Sequence, residues 1–219
     1  MASQSSFDVI QGIAYLRKMA DIHRLTMSAI ERMPLQSTKE MKELSERLFD
    51  GWTDEERRRF CAERFREIDE FATANCLSVL CAAYAIVEHT LHKVAEAALH
   101  LEDPKKSPQE FRDLGIKQSK NALTKGVGIS WATVNEPWQK MLEYGVLRNL
   151  FMHKAGLVEP SHKDIGKLRS YPDVGLKKFG DFDDLKQIVI KDHYVRTAIE
   201  TMQDFLEQIH REIEGAAAC

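Results

Sequence analysis

ATANCLSVLCAAYAIVEHTLHKVAEAALHL, residues 72–101, decides the fold. It contains no Pro or Gly, and Leu77, Leu80, Cys81, Tyr84, Ala85, Val87, Leu91, Val94 and Leu99 recur at helical spacings. That apolar surface is wide enough to be buried on more than one side, so the segment reads as a central core helix that other helices must cover. Upstream, Glu55 to Glu70 is rich in Arg and Glu and suits a solvated helix. The signature Thr53-Asp54-Glu55-Glu56 opens it, because a Thr hydroxyl accepts from the third helical amide while the Glu reaches back to the cap amide. With no Pro or Gly before Pro104, these roughly 50 residues are expected to form two helices or one bent one.

Toward the N-terminus, Phe7, Ile10, Ile13, Leu16, His23, Met27 and Ile30 mark a helix that Pro34 is expected to stop, with a short second helix capped at Ser37-Thr38-Lys39-Glu40. Toward the C-terminus, Ser107-Pro108-Gln109-Glu110 predicts a helix running to Leu123. Residues 125–130 read as loop, with glycines too sparse for a dinucleotide or phosphate-binding fingerprint. Asn135 is the expected cap of a helix through Trp138, Met141, Leu142, Val146 and Leu150 that stops at Gly156. Residues 157–185, with Pro160, Gly166, Pro172, Gly175 and Gly180, read mainly as loop; 186–190 predict one short strand, and Asp192 starts a last helix. The expected fold class is therefore all-α, with at most one short strand.

The 219 residues are 43% hydrophobic and 30% charged, enough for one domain with its own core. No run approaches the ~18 apolar residues of a bilayer span, and Met1-Ala2-Ser3-Gln4-Ser5-Ser6 lacks the parts of a secretory signal, so a cytoplasmic protein without a membrane partner is expected. Cys61, Cys76, Cys81 and Cys219 form no C-x-x-C pair and read as reduced thiols. A formal charge of -3 excludes the strongly basic balance of a dedicated duplex binder. The average conceals a gradient: residues 101–180 hold 14 Lys and Arg against 9 Asp and Glu, so a polyanion is drawn to that quarter of the chain.

One segment of that quarter carries a chemical suggestion: Arg148-Asn149-Leu150-Phe151-Met152-His153. On a helix Asn149 and His153 share a face, Arg148 lies one step round, and His153 sits near the carbonyl end of the dipole, which favours its charged form. Such a set holds a phosphodiester by its charge and moves a proton beside it. The bland reading is a solvated face with an i, i+4 pair.

The run resembles the R-N-x-x-x-H form of the R-x(4 to 6)-H motif of HEPN domains, and Ala83-Tyr84-Ala85-Ile86-Val87-Glu88-His89-Thr90-Leu91 is similar to the earlier, glutamate-bearing core helix of that superfamily. The likeness covers about residues 70–212. It implies a HEPN-like helical bundle over residues 71–214, with residues 1–70 as an N-terminal helical extension. It further implies a metal-independent endoribonuclease without cofactors, in a toxin or anti-phage defence setting. In such an enzyme Arg148, Asn149 and His153 of two protomers form one catalytic cleft at a homodimer interface, and an antitoxin or defence-system protein is the implied partner. The alternative is a catalytically inactive HEPN module that binds RNA, a nucleotide or a protein. Toxins paired with a nucleotidyltransferase antitoxin often carry a Tyr two residues after the His; Lys154 and Ala155 follow here, which puts that partner mechanism in doubt.

Glu88, Lys120 and Lys154 are the candidate substrate-binding residues, with Lys117 and Lys125 as further backbone contacts. Glu88 also suits pairing with Arg148 or His153, since an unpaired carboxylate on an apolar helix is costly. Glu88, His92 and Glu96 form a four-residue stripe, but a helical di-metal site needs two E-x-x-H motifs and only Glu207-Gln208-Ile209-His210 fits, so no metal site is expected. Trp131 and Trp138 have the chemistry to stack on unpaired bases, although burial suits the pattern around Trp138 better.

Overall fold

The computed structural model describes residues 2–48, 51–180 and 182–217, with side chains for 6–33, 51–180 and 182–216. Two long helices, α1 (Ala2–Leu48) and α2 (Asp54–Glu102), lie side by side. Gly12 abuts Thr90 and the Met27 thioether meets the Cys76 thiol, so the pair runs antiparallel in constant register. Thr53 closes the expected capping box: its amide donates to Glu56 at 2.7 Å and its hydroxyl accepts from the Glu56 amide at 3.3 Å. The stretch from 54 to 102 is one helix, about 74 Å long.

The expected stop at Pro34 does not occur: α1 continues to Leu48, and the cap read at Ser37–Glu40 falls inside it, where the side chains lie outside the described residues. A proline removes one amide and crowds one carbonyl, at about 3 kcal/mol, a local cost that packing along a long partner helix can offset. The Arg- and Glu-rich start of α2 is exposed as expected, laced by Arg59–Glu63, Arg64–Glu67 and Arg66–Glu70 pairs.

Between residues 107 and 123 the structure departs from one continuous helix. The capping box of Ser107 and Glu110 forms, but only a single 3-10 turn, Pro108–Glu110, follows it. Asp113 and Gly115 then take positive φ of 87° and 59°, values that break a helix. The chain resumes as α3 (Ile116–Asn121) and ends in a wide π-type turn, Ala122–Gly126. Helix α4 (Asn135–Lys154) has Val134, not Asn135, at its cap position. It ends with Ala155 in the left-handed conformation and Gly156 at φ 74°.

The all-α expectation is corrected by a three-stranded antiparallel sheet of order β1-β3-β2, built from β1 (Leu157–Val158), β2 (Val174–Phe179) and β3 (Phe182–Ile190). A short helix, α5 (Ile165–Ser170), links β1 to β2. Gly175 pairs with Val189 and Lys177 with Gln187. The hairpin hides in the sequence because its outer face and tip are charged; only Val158, Ile188 and Ile190 are buried. The fold is thus mainly helical with a small sheet.

Helix α6 (Asp192–Ala217) lies on both α1 and α2, and α4 packs on α2 and α6. One core unites these helices and the inner side of the sheet, including Leu16, Leu80, Leu91, Leu147, Ile188 and Phe205. Residue 70, the expected end of the N-terminal extension, falls within α2. The reading that no stretch is long enough for a bilayer also needs correction, because α2 is long and apolar enough by length and composition to cross a membrane. That apolarity is used in the core, where Leu80, Val87 and Leu91 are wholly buried.

A polar group sits inside this packing. His23 of α1 is 0% exposed, and its Nε2 lies 3.0 Å from Oδ1 of Asp192, whose other oxygen is 2.7 Å from Arg196. Burial pushes the His23 pKa below its ordinary 6.5, against the opposing pull of Asp192. Below pH 6.5 the unfolded chain therefore takes up a proton that the folded chain resists, and stability falls with pH. Urea unfolding at pH 7 and pH 5 is expected to show a loss of up to about 1.4 kcal/mol per pH unit from this group. The slope flattens in His23→Leu, which leaves Asp192 paired with Arg196.

Candidate active site

The register between α2 and α4 builds the site. Gly145 of α4 meets Tyr84 of α2 so closely that an added Cβ would lie 2.8 Å from the phenol oxygen. One turn further along both helices, Arg148 Nη2 lies 3.8 Å from Glu88 Oε2. The other guanidinium nitrogen, Nη1, donates to Asn149 Oδ1 at 2.9 Å. Both members of the Arg148–Glu88 pair are about 30% exposed. Gly115 backs the carboxylate from the opposite side, since any Cβ there would collide with Glu88 Oε1. Glu88 is thereby held between the 113–117 segment and the arginine, which answers the cost of a carboxylate on an apolar helix.

These residues wall a groove of about 1040 Å3 between α2, residues 113–117, α4 and α5. Glu143 also lines it, accepting from the Tyr194 hydroxyl at 3.0 Å and pairing with Lys140 at 3.0 Å. Burial, and then the Glu143 carboxylate, push the Tyr194 phenol far above its usual range. Burial, and then Glu88, push Tyr84 up to about 12, so both phenols stay protonated. Lys167 and Tyr171 close the groove from α5 and its end. Its charged lining is balanced, with Glu88, Asp113 and Glu143 against Lys117, Arg148 and Lys167.

Of the three residues expected to act together, Arg148 and Asn149 line the groove and His153 does not. Five residues separate Arg148 from His153, about 7.5 Å of rise and 140° of turn, so the two point to different sides of α4. His153 is exposed in the last turn. That turn is firmly placed, because the Ile188 amide donates to the Gly156 carbonyl at 2.8 Å and ties the end of α4 to β3. Lys154 is exposed beside His153, outside the groove.

Lys120 lies elsewhere: its ammonium sits 4.7 Å from the Trp138 ring centre and 5.3 Å from that of Trp131. Burial pushes its pKa down. Trp131 and Trp138 pack edge to face at 5.6 Å and both meet Phe205, so they belong to the core. Glu96 is paired with Lys93 at 2.9 Å and His210 with Glu214 at 3.4 Å. Among the described residues no group of three or more His, Cys, Asp or Glu is placed to hold a metal. Cys76 and Cys81 are buried, and burial raises each thiol to about 11, which makes them inert.

The sequence reading missed Tyr84, Glu143, Lys167 and Tyr171 as groove residues. Tyr84 carried a signal, one helical turn before Glu88. Lys167 and Tyr171 reach the groove through tertiary structure alone. No family model matches the chain, and neither the curated proteins nor the solved structures give a match.

Because α4 approaches α2 through a missing side chain, Gly145→Val forces the Tyr84 ring or the whole helix to move. Overpacking of this kind costs about 1–3 kcal/mol. Urea unfolding of the variant is expected to show that loss.

Proposed function

We propose that the protein is a metal-independent endoribonuclease of HEPN type, with Arg148, Asn149 and His153 of two protomers converging on one phosphodiester. The observation that carries this reading is the Glu88–Arg148–Asn149 chain, which fixes a guanidinium at the groove wall while His153 stands open to solvent five residues further along α4. A single chain keeps the arginine and the imidazole on different sides of α4, so a second copy has to complete the cleft. In that cleft the 2'-oxygen attacks phosphorus as its proton leaves, and the 5'-oxygen departs as it gains one; the imidazoles carry these protons. The arginines hold the negative charge that grows on the phosphoryl oxygens. DNA lacks the 2'-hydroxyl and is not cut. A toxin or anti-phage role in the cytoplasm, with an antitoxin or defence protein as partner, accompanies this reading.

A second reading, a catalytically inactive module binding RNA, a nucleotide or a protein, is favoured by one feature. The groove's charges balance, and Arg148 is already partly neutralised by Glu88. Purified protein incubated with RNA in EDTA separates the two. For the enzyme, cleavage persists in EDTA and falls about 10²–10⁴-fold in His153→Ala, the range of a lost general acid or base. Arg148→Ala then also loses cleavage while circular dichroism stays unchanged. An inert wild-type protein whose RNA affinity drops in Arg148→Ala is the result expected of the binding module.

A further inference from the structure

Helix α1 has two apolar faces, and the fold uses only one. Val9, Ile13, Leu16, Met27 and Ile30 are buried against α2 and α6. On the opposite side Phe7, Ile10, Ala14, Lys18, Ile22 and Leu25 follow one another at steps of three and four, and all are exposed. Phe7, Ile10, Ile22 and Leu25 are 55%, 56%, 53% and 68% exposed. Ala29 and Met33 continue the row, which repeats every eleven residues (7, 18, 29; 14, 25; 22, 33). An eleven-residue period, about 3.67 residues per turn, drifts only about 20° per repeat on a straight α-helix, so the row stays on one broad face for about 39 Å with at most a slight right-handed supercoil.

The row is self-complementary. Set against a second α1 in the antiparallel direction, with a two-fold axis passing between Met19 and Ala20, it meets itself almost end to end. Leu25 then falls beside the partner's Ala14 and Ile10 beside the partner's Ala29, large against small on either side of the axis. Next to the axis Lys18 falls beside the partner's Asp21, and symmetry makes this contact twice. Among the described residues Asp21 makes an ion pair with Arg24, at 3.0 Å in a largely exposed contact worth little, so it can turn to the lysine. In a parallel, in-register pairing, whose two-fold axis runs along the helices instead, Lys18 would meet Lys18.

We infer that the outward face of α1 is an isologous contact between two copies of this chain, antiparallel and centred between residues 19 and 20. Lys18 and Asp21 are the polar residues that fix the register in a mainly apolar seam, at a cost in affinity. The seam is distinct from the groove: α1 packs on α2 and α6, while the groove opens between α2, α4 and α5. One helix width over about 39 Å is smaller than the ~800 Å2 per partner of a standard interface, so the association is concentration-dependent.

Light scattering of the full chain, from about 5 to about 200 μM, reads this directly. The wild-type mass is expected to rise over that range to at least twice the mass of Leu25→Glu, whatever smaller unit the groove side forms. Lys18→Glu sets like charges beside the axis and lowers the mass in the same way; Lys18→Glu with Asp21→Lys exchanges the signs and restores it. These exposed positions leave the fold intact, which circular dichroism checks. Equal masses for wild type and Leu25→Glu throughout would overturn the inference. So would a Lys18→Glu loss that the double exchange does not restore, because the register would then be another. Cleavage of RNA is not a readout, so this inference and the ribonuclease proposal stand or fall separately.

Discussion

From Thr73 to Leu99, α2 hides side chains on about half of its circumference, and this demand organises the molecule. Full burial of a Leu or Val side chain is worth about 1.5–3 kcal/mol, and α2 gains it only where another element covers that side. Three long helices do most of this, with α3 and the turn after it beside them. Helix α1 takes the side of Cys76 and Thr90, α6 lies across both, and α4 takes the side of Tyr84. Each contact is set by a side chain or by its absence: Gly12 admits Thr90, and Gly145 admits the Tyr84 hydroxyl. The site inherits its geometry from the second of these. With Gly145 against Tyr84, the next turn of α4 can only bring Arg148 to Glu88.

Burial on this scale also explains the polar exceptions. A carboxylate one turn from Tyr84 needs an ionic partner and steric support, and Glu88 has Arg148 on one side and the Gly115 backbone on the other. His23 faces the same constraint between α1 and α6, where Asp192 supplies the partner and Arg196 balances Asp192. The two clusters differ in access. Arg148 and Glu88 border an open groove, whereas His23 has none of its surface in solvent. The first is placed to meet a ligand, and the second to make stability depend on pH.

Much of this was legible in the chain. The core helix, the capping box at Thr53, the start of α6 at Asp192 and the need of Glu88 for a charged partner, which left Arg148, His153 and His92 as alternatives, follow from spacing, cap chemistry and the cost of burying charge. What failed did so where local signals met tertiary ones. Pro34 is a strong local stop, yet α1 continues past it. Ser107–Glu110 form the cap hydrogen bonds of a helix, and positive φ at Asp113 and Gly115 ends it almost at once. The β2–β3 hairpin carries lysines and aspartates outward on short strands, so alternation is weak over the very residues that pair. His23 looked like one more position on an apolar stripe, because nothing local announces a partner 169 residues away. Lys120 looked free for the same reason, the aromatic rings beneath it being brought there by the fold.

The relation between the two exposed features of the chain is geometric. An isologous contact at the groove side and another along α1 would lie on faces separated by α2 and α6. Two such contacts on one chain generate a closed tetramer when their two-fold axes intersect at right angles, and an open array otherwise. Closure in turn bears on chemistry, because a cleft that needs two protomers gains effective concentration when a second interface already holds them together. The central Lys18–Asp21 contact is the weak element of that second interface, being polar and close to solvent, and its strength falls as salt rises. Ionic strength therefore acts on this contact while leaving the apolar positions on either side of it, such as Ile10 and Leu25, unaffected.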